Sequence, residues 1–364
     1  MEREYKENQM RLLASLLLAV VFILLAAPVG FVGQHVPAYG LWVATPTDFL
    51  HVPGSAPITS SKVFQVESLA ILKSGSVTCV TFNSTGTLLA ANGDDNSINI
   101  YDVQTGRLLK SLPGSARNAS QFAFTPDGNL LAAAYRDALI RLWDIITGEE
   151  ASVLRGHTGE LSSIAVSPDG EVVASGSVYP DSTLRIWDMS SYAQTTVLKG
   201  EDGEEFFDIA FSPDGTLLAA ATGSVTYGKV RLWDVETWTL LATLEGYSNI
   251  VSGITFSHDG TFLITASYDG TIKQWTVGSS DDPVVLHRYD EAVYSIDLNP
   301  DDTLLAVGLS ESTIRLWDLT SERELVSLEG YKGPVWSVAF SPDGRLLASG
   351  SMYPDRMVKL WGIP

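Results

Sequence analysis

Histidine, cysteine and basic side chains are scarce in this chain, and each shortage closes off a class of chemistry. Five histidines are spread over 364 residues, and His35, His51, His258 and His287 show no metal-ligand spacing. The single cysteine, Cys79, has no partner for an internal disulfide. It lies in an alternating apolar segment, where a small buried side chain is expected rather than a nucleophile. Lysine and arginine total 23 against 43 aspartates and glutamates, a formal charge of −20. A field of that sign repels phosphate backbones and argues against a nucleic-acid partner. No Gly-rich phosphate loop opens a helix, and no G-x-S-x-G elbow occurs. No cofactor and no metal are expected.

Charge is missing altogether from "LLASLLLAVVFILLAAPVGFVG", residues 12–33. As a helix these 22 residues would reach about 33 Å, enough for a hydrocarbon core of about 30 Å. Arg3, Lys6 and Arg11 precede the run, and the next 28 residues carry no lysine or arginine. The positive-inside bias then places the N-terminus in the cytoplasm and the remainder outside. The run is long for a signal peptide and no A-x-A site follows it, so a retained anchor is the leading expectation and a cleaved signal, with secretion, the alternative. Residues 1–11 are read as the cytoplasmic flank. Residues 34–62, rich in Pro, Gly, Ser and Thr, are read as a linker.

What the chain has in abundance is one phrase, repeated. "INIYD", "IRLWD", "LRIWD", "VRLWD", "IKQWT", "IRLWD" and "VKLWG" place an aromatic at Tyr101, Trp143, Trp187, Trp233, Trp275, Trp317 and Trp361, at steps of 42, 44, 46, 42, 42 and 44 residues. A turn signal keeps the same period: "NSTG", "TPDG", "SPDG", "SPDG", "SHDG", "NPDD" and "SPDG". Each unit reads as four short strands, such as 293–298, 303–309, 312–318 and 324–330. A four-stranded sheet of this size cannot bury both faces alone, whereas radial packing buries sheets against each other.

These phrases, with the single "GH" at Gly156-His157, resemble the WD40 repeat family across about residues 64–362. The resemblance implies an all-β fold, a seven-bladed β-propeller of four-stranded antiparallel blades, here over 63–364; the uncharged run 12–33 is expected to precede it as one N-terminal hydrophobic helix. The last unit lacks a fourth strand, and "FQVESLAILKS" (64–74) matches the missing phrase. Residues near 69–72 are therefore expected to pair beside 358–361 and close the ring, removing two exposed strand edges.

The family pattern also reassigns a trio that imitates a hydrolase. His157, Ser175 and Asp181, with Trp187, match the buried hydrogen-bonded set of WD40 blades, a structural role. Elsewhere the histidine position reads Ser115, Glu201, Tyr247, Tyr289 and Tyr331. For function, the resemblance points to the face carrying the fourth-to-first and second-to-third loops, and to the channel mouth. The repeat position that reaches this face reads Thr78, Ser120, Ser162, Phe207, Ser252, Tyr294 and Trp336. Phe207, Tyr294 and Trp336 are expected to form an aromatic arc, extended by Tyr179, Tyr268, Tyr353 and Arg136 from the second-to-third loops. Acidic loop residues Glu201, Asp202, Glu204, Glu205, Asp290 and Glu291 suggest a protein or peptide partner with apolar anchors and basic flanks. The expected function is a non-catalytic, monomeric interaction scaffold outside a membrane. The rival is a propeller enzyme, lactonase-like or a cofactor-dependent dehydrogenase, with its site at the channel mouth. Asn83 and Asn118 fit the N-glycosylation pattern.

Overall fold

The computed structural model describes residues 56–200 and 204–363. The segments 1–11 and 12–33, the first part of the 34–62 linker, and Glu201 and Asp202 lie outside the described residues. Among the described residues there are twenty-eight strands, two short 3-10 turns (Val63–Gln65 and Asp94–Asn96) and no α-helix.

The strands form seven four-stranded antiparallel sheets. Blades 1 to 6 each take four consecutive strands, beginning at Val80, Ala119, Leu161, Glu205, Val251 and Val293. Blade 7 takes Val335–Phe340, Leu346–Ser351 and Met357–Gly362, and its outer strand is Glu67–Lys73 from the other end of the domain. Ser68 stands opposite Trp361 and Leu72 opposite Val358, the pairing that the incomplete last repeat requires. The first strands touch those of both neighbouring blades all round the ring, blade 7 against blade 1 included.

Seven hydrophobic clusters fill the seven seams between blades. Runs of alanine occupy the second strands of blades 2 and 4 (Ala132, Ala133 and Ala134; Ala219, Ala220 and Ala221), all fully buried. Small side chains let adjacent sheets approach. At Gly350, a Cβ would come within 2.2 Å of Val77 in blade 1, so a side chain there would push the closing seam apart.

The turn signal has a local cause. In "SPDG", Ser167 Oγ donates to Asp169 Oδ1 at 2.5 Å and accepts the Val172 N–H at 2.9 Å, while Gly170 takes φ +77°. A Cβ on Gly170 would stand 3.3 Å from Pro126 of the previous blade's turn, so these turns stack round one face. Blades 5 and 6 depart from this together. Asp302 replaces the glycine and His258 the proline, and His258 Nδ1 lies 2.7 Å from Asp302 Oδ1.

The described end of the 34–62 stretch lies on the propeller. Ile58 is 1% exposed and its N–H donates to Gly344 O at 2.7 Å, in the turn of blade 7. Ile58 and Val63 belong to the cluster between blades 6 and 7. The chain thus enters on the "SPDG" face.

Closure yields a direct expectation. Leu72 is 3% exposed and Ile71 59%. Leu72→Ala should destabilise the domain by about 2–4 kcal/mol in urea unfolding. Ile71→Ala should cost less than about 0.5 kcal/mol. Equal costs would contradict the pairing.

Candidate partner-binding face

In six of the seven inner strands the register skips one residue: between Ala119 and Gln121, Leu161 and Ser163, Phe206 and Asp208, Val251 and Gly253, Val293 and Ser295, and Val335 and Ser337. The skipped residues are Ser120, Ser162, Phe207, Ser252, Tyr294 and Trp336, the ring positions marked by the repeat. A β-bulge re-aims its extra side chain, which is why this position leaves the alternation of the strand.

Small and large residues use the bulge differently. Ser120 Oγ donates to Leu161 O at 2.7 Å and Ser252 Oγ to Val293 O at 2.6 Å. Ser162 Oγ donates to Phe206 O, and Thr78 Oγ1 to Ser120 O at 3.1 Å. Each hydroxyl therefore ties its blade to the next. Tyrosine, tryptophan and phenylalanine cannot make that tie.

The large residues meet each other instead. Tyr294 stacks on Trp336 with centroids 4.3 Å apart and planes at 15°. Tyr268, from the second-to-third loop of blade 5, meets Tyr294 edge-on at 5.2 Å. All three residues are half-buried. Burial pushes the Tyr268 phenol well up; Tyr294 adds to this, and the positive charge of Arg136 on blade 2 opposes it. The hydroxyl stays protonated. Phe207 is half-buried on blade 4 and makes no ring contact with this row. Tyr179 and Tyr353 project from matching loops of blades 3 and 7 and are 75% and 67% exposed. The structure thus joins Tyr268, Tyr294 and Trp336, sets Arg136 within electrostatic reach of the Tyr268 phenol, and leaves Phe207, Tyr179 and Tyr353 apart.

The acidic surround is thinner than the sequence implies. Glu204 is fully buried and accepts Arg231 Nε at 2.9 Å, so it neutralises a core cation. Glu205 accepts the Tyr179 N–H at 3.2 Å, and burial pushes its carboxyl up. Glu291 accepts the Glu311 N–H at 2.6 Å. Asp290 and Glu311 are exposed. Asn83 is buried, with its carboxamide folded onto Leu88 N, Thr85 and Thr87, a poor glycosylation acceptor.

Below the mouth, side chains from one blade cap the unpaired inner edge of the next. Gln121 Oε1 accepts Ile164 N–H at 2.7 Å, Asp208 Oδ2 accepts Ile254 N–H at 2.9 Å, and Asp297 Oδ2 accepts Phe340 N–H at 2.6 Å. Ser295 and Ser337 do the same for Val338 and Val80. Gln121 also donates to Asp208 at 3.0 Å, joining blades 2 and 4. Burial pushes Asp208 up to about 6 and Asp297 up to about 7. Among the described residues, no three His, Cys, Asp or Glu side chains gather in a way that could hold a metal.

The hydrolase-like trio is bonded inward. His157 Nδ1 lies 2.5 Å from Asp181, His157 Nε2 lies 2.7 Å from Ser175 Oγ, and Trp187 Nε1 donates to the same hydroxyl at 2.8 Å. Burial holds His157 down at about 4, so it is neutral at pH 7 with Nδ1–H donating to the carboxylate. Burial opposes ionisation of Asp181 also, yet the His157 hydrogen bond and charges outweigh it and bring the carboxyl to about 2. Ser175 is fully buried and offers no nucleophile to solvent. In blade 5 the tyrosine substitute works with a lysine. Tyr247 bonds Thr265, Trp275 Nε1 donates to both at 3.0 Å, and Lys273 Nζ stands 3.9 Å over the Tyr247 ring. Lys359 and Tyr331 repeat this in blade 7 at 4.6 Å. The lysines escape the sequence reading, although "IKQW" and "VKLW" mark them where four other units carry arginine and the first carries Asn99.

Comparison with known proteins fits this geometry. The family profile described as "WD domain, G-beta repeat" matches residues 67–102, 106–144, 148–188, 193–234, 238–276, 284–318 and 322–362. The chain belongs to the WD40 family. Each WD40 match opens on the outer strand of one blade and runs through three strands of the next, the offset that blade 7 uses to close. Curated relatives match short stretches. Pre-mRNA-processing factor 19 of Oryza sativa subsp. japonica is 39% identical over 72 residues, 20% of this chain and 13% of its own length. Target of rapamycin complex subunit wat1 of Schizosaccharomyces pombe is 44% identical over 69 residues, 18% of this chain and 21% of its own. Retinoblastoma-binding-like protein E of Dictyostelium discoideum is 37% identical over 71 residues, 20% and 13% respectively. The alignments span about a fifth or less of each of these relatives.

The channel carboxylates generate a pH prediction. Unfolded, Asp297 titrates near 3.8, so between about pH 4 and 7 the folded chain holds the extra proton. Stability from this group is greatest below pH 4 and falls as pH rises to about 7. Asp208 acts in the same sense to about pH 6, while His157, lowered from 6.5 to about 4, acts in the opposite one. Asp297→Asn should therefore gain on the order of 1–3 kcal/mol relative to the native chain at pH 7.5 but not at pH 4. A pH-independent difference in unfolding free energy would contradict the assignment.

Proposed function

We propose that this WD40 protein is a non-catalytic scaffold that binds a protein partner across the channel mouth. The observation that carries the reading is the row Tyr268–Tyr294–Trp336, three contiguous aromatic residues, each half-buried, at positions that the repeat directs to the mouth. Aromatic anchors of this kind dominate protein interfaces, because they bury large area with few rotatable bonds. Two relatives, a processing factor and a complex subunit, agree with an interaction role. An enzymatic reading finds little material: the channel carboxylates Asp208 and Asp297 cap backbone N–H groups, and Ser175 is committed to Trp187 and His157.

The proposal extends to location. Among the described residues no helix is long and apolar enough to cross a membrane. The support is the uncharged stretch 12–33 with its basic flank, read as a single-pass anchor that leaves the propeller outside the cytoplasm, or as a signal cleaved to release it.

Cross-linked co-purification from intact cells tests the function. The native chain should capture a specific protein, and Tyr294→Ala/Trp336→Ala, folded by circular dichroism, should lose at least about tenfold of it. Equal capture would move the site elsewhere. Protease added to intact spheroplasts or cells should digest the propeller; full protection would overturn the external location.

A further inference from the structure

Every blade ends in an outer strand whose far side pairs with nothing among the described residues. Such an edge invites a further strand, and charged side chains, lysine above all, are what usually keep one off. Six of the seven outer strands carry a lysine or arginine: Lys110 on blade 1, Arg155 on blade 2, Lys199 on blade 3, Arg288 on blade 5, Arg323 on blade 6 and Lys73 on blade 7. The outer strand of blade 4, Leu240–Tyr247, carries none and is the longest of the seven at eight residues. Its one charge, Glu245, is paired with Lys229 at 3.3 Å. Leu240 and Leu241 at its start are 46% and 57% exposed. Regular pairing runs through Ala242, Thr243 and Leu244, between one register shift after Leu240 and another before Tyr247. The edge open to a partner is therefore 240–244, uncharged throughout.

The surround of this edge is acidic. Outer strands begin at the end of the blade that bears the "SPDG" turns, because first and third strands finish there. The turns leading into the outer strands of blades 3, 4 and 5, residues 188–193, 234–239 and 276–283, hold Asp188, Asp234, Glu236, Asp281 and Asp282 and no lysine or arginine. Among the described residues none of these five carboxylates is in an ion pair. Ala242 and Leu244 pack with Val277 of the blade 5 turn on one cluster, and Val235 and Trp238 of the blade 4 turn pack with Leu198 of blade 3 on another, so these turns flank the edge. The cations of the region sit toward the other end. Lys273 is 5% exposed and donates to Gly246 O at 2.6 Å, Lys229 is held by Glu245, and Lys199 closes the outer strand of blade 3.

We infer that the edge 240–244 binds an extended segment of a partner protein, added to blade 4 as a fifth strand, that carries apolar and basic side chains and no acidic one. Main-chain hydrogen bonds along the edge attach it, Leu240 and Leu241 cover its apolar side chains, and the carboxylates of the flanking turns select the basic ones. A second copy of this chain is a poor occupant, since each copy carries −20. The site is independent of the aromatic row, which lies at the opposite end of the blades. Blade 7 and its Arg345 lie outside this sector.

The test titrates short labelled peptides, alternating valine with lysine, serine or glutamate, onto the full-length chain at physiological salt, read by fluorescence anisotropy. The lysine peptide should bind, the serine peptide roughly tenfold more weakly, and the glutamate peptide not at all. Leu241→Lys/Thr243→Lys, which gives blade 4 the protection that the other outer strands have, should lose at least about tenfold of the affinity for the lysine peptide. Ser68→Lys/Ile71→Lys, at exposed positions on the outer strand of blade 7, makes the same change of charge and should lose less than about twofold. Both variants should be folded by circular dichroism. Bound lysine peptide should slow amide hydrogen exchange in 240–244 and in no other outer strand. Equal loss in the two lysine variants would reduce the binding to general attraction by an acidic protein and overturn the site. Equal affinity for the serine and lysine peptides would overturn the selection by charge. Unchanged exchange at 240–244, or no binding of any peptide, would overturn the edge as a docking place.

Discussion

Everything in this propeller depends on one antiparallel pairing, Glu67–Lys73 against Met357–Gly362. A row of seven sheets without it would leave two bare edges and one unfilled seam, and each blade is too thin to bury its own faces. With it, every seam becomes interior and the seven first strands surround one channel. The pairing joins residues almost three hundred positions apart, so it is also the contact whose loop-closure entropy is greatest. The buried segment Ile58–Val63 reinforces this closing region from the "SPDG" face.

Closure gives the bulges their meaning. A bulged residue on an open sheet would point into solvent; on a ring it points toward its neighbour and the mouth. Hydroxyls at Ser120, Ser162 and Ser252 use that position to bind the next blade, and the blades that carry Tyr294 and Trp336 forgo the tie. The aromatic row is thus a place where an inter-blade hydrogen bond has been replaced by half-buried ring contacts between neighbouring blades, which leave a larger apolar surface than a serine would. That is the physical ground for assigning it to binding.

The period of the aromatics made the blades, their strand order and the closure legible, because seven copies of one phrase average out local ambiguity. The same period marked the bulge positions without saying where each side chain goes. Phe207 matches Tyr294 and Trp336 in register, yet the row runs through Tyr268 of another loop, since ring contact depends on side-chain direction and not on repeat phase. In blade 4 the acidic residue that holds Arg231 is Glu204, three positions beyond the aligned Glu201, and a length difference in one loop hides it. Spacing likewise cannot separate linker from domain at Ile58, whose burial is set by blades 6 and 7.

The most direct test of the account is site-specific photocross-linking in cells. A benzophenone amino acid would replace Tyr294 on the aromatic face and, separately, Arg345 on the exposed "SPDG" face. The account predicts a discrete protein adduct from position 294 and none from 345. An adduct from 345 alone, or none from 294 under conditions where a control probe reacts, would contradict the claim that the aromatic face is where this WD40 ring meets its partner.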